Sequence, residues 1–131
     1  MRKEITSQEG AQPFGPYSPA IYCAGRYLFI SGQGPVDSFS GKIILGTFRK
    51  QAEITFTNIH ALLKAGGAGW GDVVKVCVYL SDLMNFQELN EIYLNYFESP
   101  YPARTTVGVA LLGGMSIGVD CIAVLDYKYP A

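Results

Sequence analysis

The stretch 99–110 constrains the fold of this chain most. It contains two prolines, and a predicted strand that begins near Arg104 follows them. Pro100 and Pro102 lack backbone donors and push the residue before them out of the helical conformation. The chain must therefore leave any preceding helix here and continue in an extended form. From Arg104 the side chains alternate, so that Arg104 and Thr106 share one face of the predicted strand.

Arg104 has two interpretations at the entrance of that strand. It can be a surface residue at a strand end, as most arginines are. It can also be a carboxylate anchor, since a guanidinium presents a planar fork that matches a carboxylate in bidentate geometry. The residues of the strand alone leave both interpretations open.

The hydrophobic pattern elsewhere predicts one α+β domain over residues 1–131. Apolar residues recur at helical spacing between Thr47 and Gly66, whereas Val73 begins a β-branched run typical of a central strand. Glycine-containing turns at 25–26 and 113–114 predict two hairpins. Together with the Arg104 strand, the predicted strands are 21–23, 27–31, 42–45, 73–80 and 117–125, and the predicted helices are 47–66 and 83–98.

The composition excludes some partners and favours others. The net charge of −1 and the scattered basic residues disfavour binding to nucleic acid. No charged leader opens the chain and no apolar run approaches the ~18 residues that a membrane span needs, so we expect a cytoplasmic protein without a membrane partner. Charged residues make up only 16%, below the usual quarter, which indicates surface covered in an oligomer.

The cysteines and the single histidine give no sign of a metal or cofactor site. Cys23, Cys77 and Cys121 are far apart and lie in apolar strand-like runs, which favours reduced thiols in the core. His60 has no ligand partners at metal-binding spacing and is expected to be structural.

The segment 102–110, Pro-Ala-Arg-Thr-Thr-Val-Gly-Val-Ala, resembles the signature of the Rid family, the YjgF-type reactive intermediate deaminases. Further matching segments follow the same order along the chain: Gly15-Pro16-Tyr17-Ser18, Phe29-Ile30-Ser31-Gly32-Gln33, Asn58-Ile59, Val73-Val74-Lys75-Val76 and Asp82-Leu83 with Phe86 and Asn90. The resemblance implies a chorismate-mutase-like fold, βββαβαββ, in homotrimers with clefts between subunits. It also implies hydrolysis of enamines and imines such as 2-aminoacrylate to 2-keto acids and ammonia, without cofactor or metal.

The resemblance assigns site roles to residues that have ordinary interpretations as well. Arg104 takes the role of carboxylate anchor, and Tyr17, Ser31, Gly32 and Asn90 take the role of cleft lining. Without the resemblance, Tyr17 belongs to a stiff proline-rich loop, Ser31 and Gly32 end a strand in a turn, and Asn90 forms a structural bridge.

Two positions depart from the family pattern. Gly118 stands where enzymes of the family carry a glutamate that positions water, and Thr106 stands at a frequent cysteine. Asp120 lies on the same strand face as Gly118 but ~6–7 Å further along. Three hypotheses follow: an imine deaminase in which Thr106, backbone groups and Arg104 position the water, an enzyme for a bulkier imine that uses the space at Gly118, and a binder of small carboxylates or 2-keto acids without turnover.

Overall fold

The computed structural model describes residues 2–127, which form six strands and two α-helices in the order βββαβαββ. The bounds are β1 Arg2–Ile5, β2 Ala20–Cys23, β3 Arg26–Gln33, α1 Phe48–Ala65, β4 Val73–Leu80, α2 Phe86–Tyr93, β5 Ala103–Gly108 and β6 Ile117–Leu125. The fold is α+β, with both helices packed on a mixed sheet.

The main sheet has four strands in the order β3-β6-β4-β5. β6 runs antiparallel to β3 and β4, whereas β4 and β5 are parallel because α2 carries the chain back between them. One face of this sheet carries Val76, Val78 and Leu80, which are fully buried against the helices. β5 is an edge strand, so its residues lie at the lateral edge of the sheet, next to the helix layer.

Helix α1 follows the predicted pattern closely. The Thr47 hydroxyl accepts a hydrogen bond from the Lys50 amide at 3.2 Å, which fixes the first turn. Phe56 and Ile59 face the core, and Gly67, with φ of 78°, turns the chain away after the helix. No helix among residues 2–127 is both long and apolar enough to cross a bilayer.

The prediction of the first three strands was wrong in two respects. β2 and β3 do not form a hairpin across Gly25, because β2 pairs with β1 and β3 pairs with β6. Residues 42–45 form no strand and make only a single bridge between Ile43 and Val36. β1 replaces that segment in the strand count. A short β-branched segment becomes a strand only where a neighbouring strand offers its backbone groups, which a local pattern does not reveal.

Two predicted connections also differ. The predicted helix 83–98 is a 3₁₀ turn at Leu83–Asn85, capped by the Asp82 carboxylate, followed by the shorter α2. The predicted hairpin at residues 113–114 does not exist, because β4 lies between β5 and β6 in the sheet. Gly113 and Gly114 instead have φ of 61° and 74° in a turn that crosses the sheet end.

Candidate functional site

Arg104 lies on the helix-covered face of the sheet. It pairs across the parallel ladder with Val76, whose side chain is buried in the core, and residues directly opposite in a ladder point to the same face. The guanidinium carbon lies 4.9 Å from the ring centre of Tyr93 and 5.7 Å from those of Tyr17 and Phe86. An aromatic cage of these three rings therefore surrounds the cation.

Helix α2 supplies one side of this aromatic cage. Phe86, Asn90 and Tyr93 stand at positions i, i+4 and i+7, which places them on one stripe of the helix. Both rings of this stripe contact the Arg104 guanidinium, and Asn90 lies between them along the helix. The stripe therefore places an amide side chain over the same part of β5.

The proline-rich loop supplies the other side through Tyr17. The Ser18 amide donates to the Pro102 carbonyl at 3.0 Å, and Ser18 forms a parallel bridge with Ala103, so the loop is fastened to the start of β5. A Cβ at Gly15 would lie 3.5 Å from Nη2 of Arg104. The loop backbone therefore lies next to the guanidinium.

Arg104 has no counter-ion among residues 2–127. Its Nη1 atom is buried without a hydrogen-bond partner there, and the ion pairs in this part of the chain involve Arg49 with Glu88 and Glu91. Burial lowers the pKa of the Arg104 guanidinium, and the neighbouring Tyr93 and Tyr17 act in the opposite direction. An arginine keeps its charge under such conditions, so the cage holds a cation suited to bind an anion.

Three further polar atoms are buried without a partner among the described residues: Oδ1 of Asn90, the hydroxyl of Tyr93 and Oγ1 of Thr106. An unsatisfied buried polar group costs about 1–3 kcal/mol, so a group of such atoms indicates a binding site rather than a packed core. Burial raises the pKa of the Tyr93 hydroxyl, which therefore stays neutral.

The other predicted site residues lie on β3 and β6, away from the edge strand β5 that carries Arg104. Gly118 pairs with Tyr79, an odd number of residues from Val76, and so faces away from Arg104. A Cβ at Gly118 would lie 3.7 Å from the Gln33 carbonyl oxygen, next to the exposed Ser31–Gly32 strand end. Within one chain the structure thus groups Arg104, Thr106, Asn90 and Tyr17 in one place, and Ser31, Gly32 and Gly118 in another.

Asp120 also lies on the open face, where the Tyr79 hydroxyl donates to its Oδ2 at 2.7 Å. This hydrogen bond, with burial as a smaller cause, raises the pKa of Tyr79 to about 12. Asp120 is therefore engaged with a neighbouring side chain and does not reach the Arg104 group.

The sequence places Phe86 and Tyr93 on adjoining faces of the second predicted helix, and the family resemblance includes Phe86 but gives neither ring a role at the site. Phe86 and Tyr93 are seven residues apart with Asn90 between them, and this spacing places all three on one side of the helix. The spacing could have indicated that they face the strand of Arg104 together. His60 stacks on Trp70, with ring centres 5.6 Å apart, and residues 2–127 contain no group of three potential metal ligands.

The chain is similar to known proteins over nearly its whole length. A family model described as Endoribonuclease L-PSP matches residues 8–125. A RutC family protein from Pyrococcus horikoshii is 43% identical over 112 residues, which cover 86% of this chain and 88% of the relative. A 2-iminobutanoate/2-iminopropanoate deaminase from Bos taurus is 38% identical over 125 residues, covering 95% and 90%.

A solved structure gives the same result. RidA from an Antarctic Psychrobacter superposes with a TM-score of 0.72 at 35% identity, and the match covers 94% of this chain and 99% of that one. Together with the family model, this similarity confirms the resemblance that the Arg104 strand carries. The chain belongs to the Rid (YjgF) family, whose model is described as Endoribonuclease L-PSP.

Proposed function

We propose that this protein hydrolyses reactive enamines and imines of the 2-aminoacrylate class to 2-keto acids and ammonia. The observation that carries the proposal is Arg104, a charged side chain held among three rings without a carboxylate at ion-pair distance in residues 2–127. A substrate carboxylate supplies the missing anion, and the guanidinium fork fixes its orientation. Relatives named 2-iminobutanoate/2-iminopropanoate deaminase support the same reaction class.

The chemistry requires positioning more than reactive groups. The water oxygen bonds to the imine carbon, and the electron pair of the C=N bond moves to nitrogen, which takes a proton. The nitrogen takes a second proton, from the hydroxyl group that the water formed, the C–N bond breaks, ammonia leaves, and the former water oxygen becomes the keto oxygen. An anchor that holds the imine carbon at a fixed distance from a bound water lowers the activation barrier. The two reactants are already positioned, so the reaction does not depend on a random collision between them.

A homotrimer brings the two groups of residues together in this proposal. Arg104 and Gly118 lie on opposite faces of one sheet, so a complete site needs the Ser31–Gly32–Gly118 group of a second copy beside the first copy's Arg104 group. Exposed aromatic rings on the open face, with Phe29 at 72% and Tyr27 at 52% exposure, favour coverage of that face by another subunit.

Gly118 favours a second candidate, a bulkier imine or a small carboxylate bound without turnover. A Cβ there would meet only ordinary contacts at 3.7–3.9 Å, so the position has room that a family glutamate does not leave. The same replacement removes the carboxylate that would hold the water. A substrate with a larger side group fits this space, and a 2-keto acid binds to Arg104 without needing the water.

The first experiment measures 2-aminoacrylate hydrolysis, with the imine generated in the assay by a separate lyase. We expect Arg104→Ala to abolish the acceleration, because the carboxylate loses its only charged partner in the aromatic cage. Arg26→Ala is the matched control, since Arg26 is exposed and its side chain donates to the Asp126 backbone carbonyl just after β6. Equal activity of Arg104→Ala and wild type would contradict the anchor, and an inactive wild type that still binds a 2-keto acid would favour the second candidate.

A further inference from the structure

We propose that Tyr93, Asn90 and Thr106 hold the hydrolytic water against Nη1 of Arg104, with Tyr93 as a positioning residue. This inference rests on the proposed function and names the groups that replace a glutamate at position 118. It assigns a role to Tyr93, whose side chain is fully buried.

The three polar side chains converge from two elements. The Tyr93 ring is the nearest of the three to the guanidinium, at 4.9 Å. Asn90 lies between Phe86 and Tyr93 on the α2 stripe, and both of these rings contact Arg104. Thr106 follows Arg104 by two residues on β5 and therefore shares its face. The stripe of α2 and the Arg104–Thr106 face of β5 therefore meet at the guanidinium, and both carry buried polar atoms without a partner among residues 2–127.

The chemistry of the four unpartnered atoms matches water better than a carboxylate. Nη1 only donates, Oδ1 of Asn90 only accepts, and the Tyr93 and Thr106 hydroxyls do both. A carboxylate only accepts, so it leaves Asn90 unsatisfied. A water that accepts from Nη1 can donate to two of the three oxygens, which keeps one lone pair for the imine carbon, and buried waters typically have about three polar partners.

The substrate carboxylate then binds to the other edge of the guanidinium. A Cβ at Gly15 would be in ordinary contact with Nη2 at 3.5 Å, so the proline-rich loop borders this edge of the guanidinium. With the carboxylate there, the adjacent imine carbon lies beside the water that Nη1 holds. The water oxygen forms the C–O bond, and the proton it gives up passes to the imine nitrogen. Tyr93 remains a neutral hydroxyl that accepts and donates hydrogen bonds throughout.

The test removes single hydroxyls. Tyr93→Phe keeps the ring that packs on Phe97 at 4.3 Å between centres and on the guanidinium, but it removes the hydroxyl. We expect kcat for 2-aminoacrylate to fall about tenfold or more while KM stays within about twofold, because the carboxylate anchor is intact. Tyr96→Phe is the matched control, since Tyr96 stacks on Phe56 and has no contact with Arg104.

A second pair of variants keeps the test decisive if Tyr93→Phe fails to fold. Thr106→Val preserves the shape of an edge-strand side chain without its hydroxyl, whereas Thr106→Ser keeps the hydroxyl. We expect Thr106→Val to lose more kcat than Thr106→Ser. We also expect Tyr93→Phe combined with Thr106→Val to lose less than the product of the single effects, because both hydroxyls hold one water.

The outcomes separate this inference from the proposed function. An active, Arg104-dependent wild type with an unaffected Tyr93→Phe overturns the water site and leaves the deaminase proposal standing. A higher KM at unchanged kcat for Tyr93→Phe also overturns it, since Tyr93 would then act on carboxylate binding. A wild type without turnover overturns the proposed function, and the hydrolytic role of this water falls with it.

Discussion

Two opposing effects act on the Arg104 side chain. Its burial removes hydration from a charge, which lowers the pKa of the guanidinium, while the ring faces of Tyr93, Tyr17 and Phe86 attract the cation. Each cation–π contact contributes roughly 0.5–2 kcal/mol, so the three together are of the same order as the several kcal/mol that desolvation of a charge costs. A carboxylate bound to the guanidinium would add charge pairing that the rings do not supply.

At Gly118 we expect Gly118→Glu to raise the rate of 2-aminoacrylate hydrolysis, because the new carboxylate holds water beside the imine carbon. The backbone accepts a Cβ there, although the longer side chain requires the Leu111 side chain, 3.7 Å from that Cβ, to move. Gly118→Gln has nearly the same size without the charge and is the control. Equal rates for the two variants would mean that space, and not charge, decides the effect.

The sequence predicted some of these residues better than others. Strand alternation places Arg104 and Thr106 on one face, because the period of a strand is fixed by its backbone. It also places Gly118 and Asp120 on one face of β6, and the residues next to them on the other face. The contact of Tyr93 with Arg104 depends on how α2 crosses β5, which no local pattern contains. For the same reason the sequence does not predict that Arg104 and Gly118 lie on opposite faces of the sheet. That arrangement depends on how β5, β4 and β6 are ordered in the sheet.

The elements differ in how much of their structure is local. Helix α1 carries its own cap, its apolar stripe and its terminating glycines, so the predicted span 47–66 agrees closely with Phe48–Ala65. The β1–β2 pair is not local in this way. Arg2 at its start donates to the carbonyls of Val73 and Pro100, at 2.9 and 3.0 Å, and so depends on segments about 70 and 98 residues away.

For α1 we expect Thr47→Ala to lower the free energy of unfolding by about 0.5–2 kcal/mol, because the Lys50 amide loses its cap. Denaturant unfolding followed by circular dichroism measures this. Thr57→Ala is the control, since Thr57 is exposed within α1 and alanine is the better helix former, so its effect is near zero or stabilising. A loss in Thr57→Ala as large as that in Thr47→Ala would argue against the cap.

For the whole molecule, the separation of the two residue groups has a consequence for assembly. The Arg104 group faces the helix layer on one edge strand, whereas Gly118 lies on the open side of the sheet and Ser31 and Gly32 lie on β3, the opposite edge strand. A site that uses both groups is therefore shared between two copies of the chain. In a closed ring each subunit gives its Arg104 group to one neighbour and its other group to the next.

Mixing two inactive variants tests this sharing directly. Arg104→Ala removes the anchor, and Gly32→Asp adds a charge that repels the substrate carboxylate at a position with nothing within 4 Å of a new Cβ. If the variants are unfolded together and refolded at equal amounts, about a quarter of the shared sites combine two intact groups in a random assembly. We expect hydrolysis to recover to about that fraction of wild type, whereas each variant refolded alone stays inactive. Sedimentation of the mixture as trimers with no recovery would mean that both groups act within one chain, and a monomer would rule out a shared site.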